Sequence, residues 1–369
     1  MVDFRSYIVA CSVLILRLSF VPILASRRQD IFMMNAPEHN ESLSINILGI
    51  GEITTTIEVA GRWWGKVHPR EKRWMRLAYK RMPPFDSQED VERYIRSHNE
   101  YQDLLATLAI FTPWHDNLKY KRGDGKWIVY NRQERFTNLK VACLIIRELP
   151  PERCVEIFNL LLNVMAPMFE HNLAHPEKLI GFDGQISNWV LPEFDPANPR
   201  ILPGEPVLYI DTSTPLLRYD GVEQLDTELF LKSIPSLFRP IVRKFMLQQV
   251  LDRYYIPREV ILDLIASYIT HGRPDMVPAL VEQANRFMAA SGFARTALPF
   301  TIKAIRDYNK EDVLIWKFFR TLKRIDRYLG ERFFHKTYDQ RLPHGSPSTW
   351  QNLVGAGGQG LTPEDDPPT

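Results

Sequence analysis

Asp183 and Asn188 stand five residues apart in the stretch LIGFDGQISNW, and Asp211 closes the apolar run PVLYID. Carboxylates and amides are hard oxygen donors. One carboxylate in a turn, an amide on the next strand and a second carboxylate on the neighbouring strand can converge on one Mg²⁺ ion. Taken singly, the same residues are ordinary turn formers. Upstream lie residue types suited to phosphate. Gly49 and Gly51 in LGIGEIT let backbone N–H groups approach phosphate oxygens with no Cβ in the way. Lys80 in RLAYK is a cation on an apolar strand, and Glu100 follows twenty residues later on a helix, placed to hold that lysine. Moving a phosphoryl group asks a protein for charge neutralisation and alignment more than for covalent chemistry.

These residues need strands and loops to carry them. SLSINILGIGEITTTIEVA, rich in Ile and Thr, reads as strand on both sides of its glycines, and WMRLAYKRM as a further strand closed by Pro83 and Pro84. From Ser87 the pattern turns helical: Ser87 is an N-cap, Glu89 and Asp90 suit the first turn, and Val91, Tyr94, Ile95, Tyr101, Leu104 and Leu105 recur near a 3.6-residue period. KWIVY is strand-like and leads into a connector. The doubled proline at 150–151 starts a long apolar helix, PERCVEIFNLLLNVMAPMFEHN, which should be central and buried. NWVLP and PVLYID are short strands, and helices follow from about 224 to 334. The expected class is α+β: a small strand-rich lobe over 35–135 and a larger helical lobe over 136–341, with an apolar segment at 1–34 and a Gly/Pro-rich tail at 342–369.

The order of Gly49 and Gly51, Lys80, Glu100, Asp183 with Asn188, and Asp211 resembles the protein-kinase-like superfamily, above all its aminoglycoside and choline phosphotransferase-like branch. The nearest likeness is to an uncharacterised bacterial kinase-like family. The resemblance covers residues 45–215 and implies a two-lobed kinase-like fold binding ATP and Mg²⁺. It implies Asp183 as catalytic base, Asn188 and Asp211 as metal ligands, Lys80 on the nucleotide phosphates and Glu100 bracing it. The implied activity is phosphate transfer to a hydroxyl of a small molecule. The alternatives are a binding or scaffold module without turnover and a kinase-like nucleotidyl transferase. Three departures stand out: Gly181-Phe182 precedes Asp183 where the family commonly carries a histidine, Thr212-Ser213 follows Asp211, and Thr54 replaces a third loop glycine. Lys66 and Lys72 are rivals to Lys80 in a polar stretch.

Composition narrows the partners. The 46 basic and 44 acidic residues leave a net charge of +2, too even a balance to favour nucleic acid, and the basic stretch KVHPREK reads as a solvated loop. Cys11, Cys143 and Cys154 form no zinc pattern and suit a reducing compartment. His171 and His175 have the spacing of a metal pair but no third ligand, and read as polar residues of a helix end. GAGGQG at 355–360 matches a dinucleotide fingerprint only in letters, with no strand before it or helix after it. Residues 7–25 are apolar enough to span a bilayer apart from Arg17, whose insertion costs about 2.5–3.5 kcal/mol. They are a tether, a poorly matched signal peptide, or an extension ahead of a start at Met33 or Met34. The expected location is cytoplasmic, with membrane contact only through that segment.

Overall fold

The computed structural model describes residues 44–50, 55–60, 77–202, 204–228, 231, 239, 240, 243, 247–293 and 298–333. The expectations placed on residues 7–25, Gly51, Thr54, residues 66–72 and the tail from 342 lie outside them.

The fold is mixed α+β. Its N-terminal part is a five-stranded antiparallel sheet in the order β1-β2-β3-β5-β4, formed by β1 (Ser44–Ile50), β2 (Thr55–Ala60), β3 (Leu77–Arg81), β4 (His115–Lys121) and β5 (Trp127–Glu134). Helix α1 (Gln88–Thr107) connects β3 to β4. Ser87 caps it as expected, its hydroxyl accepting the Asp90 N–H at 3.1 Å, with Glu89 and Asp90 in the first turn where the helix dipole favours negative charge. Leu77, Ala78 and Tyr79 of β3 are buried, and Lys80 begins the partly buried end of the strand. The sequence pattern missed β4. HDNLKYK lacks apolar alternation, and it is a strand because it pairs along its whole length with β5, at an edge where Lys119 and Lys121 discourage further pairing.

The C-terminal part is mainly helical: α2 (Ala142–Glu148), α3 (Pro151–Ala174), α4 (Leu247–Arg253), α5 (Pro257–Thr270), α6 (Val277–Ala290) and α7 (Ile302–Phe333). The long apolar helix is central, as its composition predicts: Ile157, Phe158, Leu161, Leu162, Met165, Met168 and Phe169 of α3 all lie in the main core. Between α3 and α4 the chain makes two small sheets. One joins β6 (Lys178–Ile180), β9 (Leu217–Tyr219) and β10 (Val222–Glu223); the other pairs β7 (Trp189–Val190) with β8 (Leu208–Tyr209). β7 and β8 are the strands expected in NWVLP and PVLYID. The β9–β10 hairpin turns through Asp220 and Gly221, both at positive φ, a two-residue Asp-Gly turn whose signal the sequence reading passed over. Among the described residues no helix is long and apolar enough to cross a membrane.

Candidate functional site

Strand register carries the first half of the site. Gly49 pairs with Thr56, Thr56 with Lys80, Lys80 with Asn131 and Asn131 with Asn117, one row running across all five strands. Directly paired residues share a face, so the glycine position lies two strands, about 10 Å, from the lysine on the same side of the sheet. The ladder between β1 and β2 slips between Ile47 and Gly49, leaving Leu48 unpaired and bending the strand next to the glycine. Gly49 thus stands in line with Lys80, while its companion Gly51 falls outside the described residues.

The second half is the loop 181–188, which nearly every neighbouring element holds. Asn172 on α3 clamps the strand that enters it, donating to Ile180 O at 2.7 Å and accepting from Ile180 N at 2.9 Å. Gly181 N donates to Leu216 O, Phe182 N to Tyr254 O and Ile186 N to Ser267 Oγ, while Tyr101 Oη donates to Gly181 O at 2.8 Å. The position where the family resemblance calls for histidine is filled differently. Gly181 stands at that position, and the next residue, Phe182, is fully buried, stacked on Trp189 at 5.5 Å and edge-on to Tyr209 at 4.6 Å. Tyr209 Oη in turn accepts the Asp183 N–H at 3.3 Å. An aromatic box therefore supports the loop. Asp183 Oδ1 accepts the Gln185 N–H, and Asn188 Nδ2 donates to Asp183 O, each at 3.3 Å.

The β7–β8 pair joins the halves. Trp189 pairs with Tyr209, and Ile210 N donates to Asn188 O at 2.9 Å, so Asn188 at the head of β7 and Asp211 just past β8 are carried to the same end of one ladder. Asp211 reaches the large sheet: Lys80 Nζ donates to its Oδ1 at 2.7 Å and to Ile210 O at 3.2 Å. Ser213 Oγ also donates to that Oδ1, at 3.3 Å. A continuous chain of contacts thus runs from Lys80 through Asp211 and Asn188 to Asp183. Among the described residues no group of three or more His, Cys, Asp and Glu side chains could hold a metal ion. A Mg²⁺ at Asn188 and Asp211 would have to complete its shell with phosphate and water oxygens, as this ion commonly does.

Glu100 is not brought to Lys80. Tyr219 Oη donates to its carboxylate, and Lys178 Nζ lies 3.7 Å from it. The reason is helical phase. The buried stripe of α1 runs through Tyr94, His98, Tyr101, Gln102 and Leu105, and Glu100 lies about 200° round the axis from His98. What α1 turns toward Lys80 and the 211–213 loop is neutral. Tyr94 Oη donates to Ser213 O and meets Asn131 Oδ1, each at 2.7 Å, and Gln102 Nε2 donates to Thr212 Oγ1 at 2.7 Å. Periodicity placed Tyr94 on this face, but counting apolar residues alone passed over His98 and Gln102. Their i, i+4 and i+8 spacing from Tyr94 was the available signal.

Residues 55–327, well over half of the chain, match a family of unknown function (DUF6206). The chain belongs to that family. The DUF6206 match spans Lys80, Glu100, Asp183, Asn188 and Asp211 and begins after Gly49 and Gly51. It agrees with the expectation of an uncharacterised family; it names no kinase-like relative and brings no activity. Among curated proteins none matches the chain.

Two other sequence features of this DUF6206 protein have structural roles. His171 Nε2 meets Lys178 O at 3.1 Å and His175 Nδ1 meets Glu177 at 3.3 Å, so both histidines serve the turn after α3. Cys143 and Cys154 are free and buried. Burial, with His115 adding to it, pushes His98 down to about 4, and burial does the same for His271. Both stay neutral in the folded chain at pH values where unfolded histidine, near 6.5, takes up protons. Stability is therefore full above about pH 6.5 and falls as pH drops toward 4, because the unfolded state binds more protons across that window. Each histidine contributes on the order of 2–3 kcal/mol to that fall. Asp312, raised to about 6 by burial, acts in the opposite direction. His98→Gln should accordingly flatten the dependence of Tm on pH between about 7 and 4.5, and a slope equal to the parent's would refute a buried neutral His98.

Proposed function

We propose that the chain is an ATP- and Mg²⁺-dependent phosphotransferase acting on a hydroxyl of a small molecule, in a two-lobed, protein-kinase-like arrangement. The observation that carries this reading is the linked set Lys80–Asp211 and Asn188–Asp183, aligned by one two-stranded ladder and by the strand row from Gly49 to Lys80. The donor set fits the metal. Asn188 commits its Nδ2 to Asp183 O and keeps a carbonyl oxygen, while both contacts to Asp211 fall on Oδ1, leaving Oδ2 as a hard donor. Bound there, Mg²⁺ would neutralise charge on the transferring phosphate. In this reading Lys80 faces phosphate oxygens from the sheet, and Asp183 accepts the proton of the attacking hydroxyl from a loop that does not have to reorganise. Free, buried thiols at Cys143 and Cys154 suit the reducing cytoplasm, where ATP is abundant.

One observation favours a nucleotide-binding module without turnover: the helix face beside Lys80 offers no carboxylate, and the lysine pairs with the metal-site aspartate itself. Melting curves with ATP alone, Mg²⁺ alone and both together test the shared premise. Ligand at a hundredfold over its Kd stabilises by about 2.7 kcal/mol, a shift of several degrees. The shift should require both components and vanish in Asp211→Asn. No shift at millimolar ATP with Mg²⁺ would remove the nucleotide from the reading altogether.

A further inference from the structure

We infer that Gln102 is a positioning residue for Lys80, its side-chain carbonyl receiving the lysine ammonium when Asp211 turns to a metal–nucleotide complex. The inference rests on the phosphotransferase reading and adds to it a residue that neither the resemblance nor the family supplies.

Lys80 is only 13% exposed and therefore needs an acceptor in every state of the site. Its present acceptors are Asp211 Oδ1 and Ile210 O. A metal bound at Asp211 Oδ2 would draw on the carboxylate's charge and weaken its hold on the lysine at Oδ1. Glu100 cannot take its place, being turned away from Lys80 and bonded to Tyr219. Of the side chains on the α1 face, Tyr94 already joins Asn131 and Ser213. His98 feels the charge of Lys80 but cannot accept from it. Its Nδ1 accepts a hydrogen bond from Asn117 Nδ2 at 3.2 Å, which puts the ring proton on Nε2.

Gln102 remains. It is 5% exposed, and its Nε2 is held by Thr212, the residue after Asp211. That bond fixes the amide plane beside the lysine's present partner. Its Oε1 is buried without a hydrogen-bond donor. An unpaired buried carbonyl is costly, as is the unpaired His98 Nε2 one turn before it, and a donor that reached Oε1 in another state of the site would stabilise it. The cation that changes partners in the proposed cycle is Lys80, whose anchor Asp211 immediately precedes the Thr212 that holds Gln102. A neutral amide also holds an ammonium less strongly than a carboxylate does. This accounts for the observed pairing: with no carboxylate on the helix face, Lys80 rests on Asp211 until that residue is engaged.

The test compares ATP affinity with and without Mg²⁺, by titration calorimetry, in the parent, Gln102→Met and Gln102→Glu, alongside the Tm of each free protein. Methionine keeps the length and removes the acceptor; glutamate keeps an acceptor and reverses the bond to Thr212, whose hydroxyl must then donate. The affinity gained on adding Mg²⁺ should shrink about tenfold in Gln102→Met and be restored in Gln102→Glu. A merely structural role would lower Tm in both variants and leave the Mg²⁺-dependent gain unchanged in both, which would overturn the inference. Equal loss of the gain in both variants would overturn it as well. A parent protein that binds no ATP with Mg²⁺ would overturn the phosphotransferase reading and the role of Gln102 with it. Parent binding with an unaffected methionine variant would remove the role of Gln102 alone.

Discussion

If the chain is the phosphotransferase proposed above, Asp183→Asn will lower phosphate transfer by about 10²–10⁴-fold and leave Mg²⁺-dependent ATP binding and Tm unchanged. The substitution is chosen because of how the loop is built. Asp183 supports its own turn through Oδ1, which accepts the Gln185 N–H, and an asparagine carbonyl can accept the same bond. The backbone groups of residue 183 are held by Tyr209 and Asn188 and do not depend on the side chain. Basicity is what the variant loses. If Asp183 takes the proton of the attacking hydroxyl, turnover falls while Lys80, Asn188 and Asp211 still hold the nucleotide. Turnover equal to the parent's in the same acceptor assay would remove Asp183 from the chemistry and return it to being a turn former. A fall in ATP affinity as large as the fall in rate would instead show that the residue binds nucleotide.

The elements that carry the candidate site were legible in the sequence where the information is local. Asp183, Asn188 and Asp211 announced themselves because turn residues sat between short apolar runs, and the strands drawn from those runs are β7 and β8. The Ser87 cap and the central α3 were legible for the same reason: side-chain type and period act over a few residues. Glu100 shows where this stops. Its separation from Lys80 was plausible, but separation does not fix helical phase, and one residue of phase turns a side chain by about 100°. The buried polar residues mark the same limit. His98 and Gln102 interrupt an apolar stripe, so hydropathy counts discard them, although a polar residue on a buried face is the informative case. β4 could not be read because its stability comes from its neighbour, and residues alternate weakly where one face of an edge strand meets solvent. The aromatic box beneath the loop was invisible for another reason. Phe182, Trp189 and Tyr209 come from three places in the chain, and only the fold shows that they replace a polar buttress with packing.

Gly184→Ala will destabilise the protein by about 1–3 kcal/mol, lowering Tm by several degrees, and on the proposed reading will depress phosphate transfer further than the lost stability explains. A Cβ at residue 184 would lie 2.6 Å from Val260 O and 2.9 Å from Val260 Cγ1. The valine side chain could rotate, but the carbonyl cannot, because Val260 lies in the first turn of α5 and its oxygen serves the helix ladder. Relief must come from the loop. Loop 181–188 has little freedom, being pinned at Gly181, Phe182, Ile186 and Asn188, so the displacement falls on residues 183–185 and strains the bonds that hold Asp183 to Tyr209 and Asn188. A shift of about 1 Å in a reacting group can cost on the order of 10²-fold in rate. Gly123→Ala is the control: no atom lies within 4 Å of its Cβ, and its Tm should match the parent's. If Gly184→Ala melts with that control, close approach to α5 does not hold the loop, and its rigidity must come from the aromatic box alone. If it melts low but binds Mg²⁺·ATP normally while losing turnover, the glycine acts where the geometry places it, on the acceptor side of the site and not on the side that Lys80 and Asp211 hold.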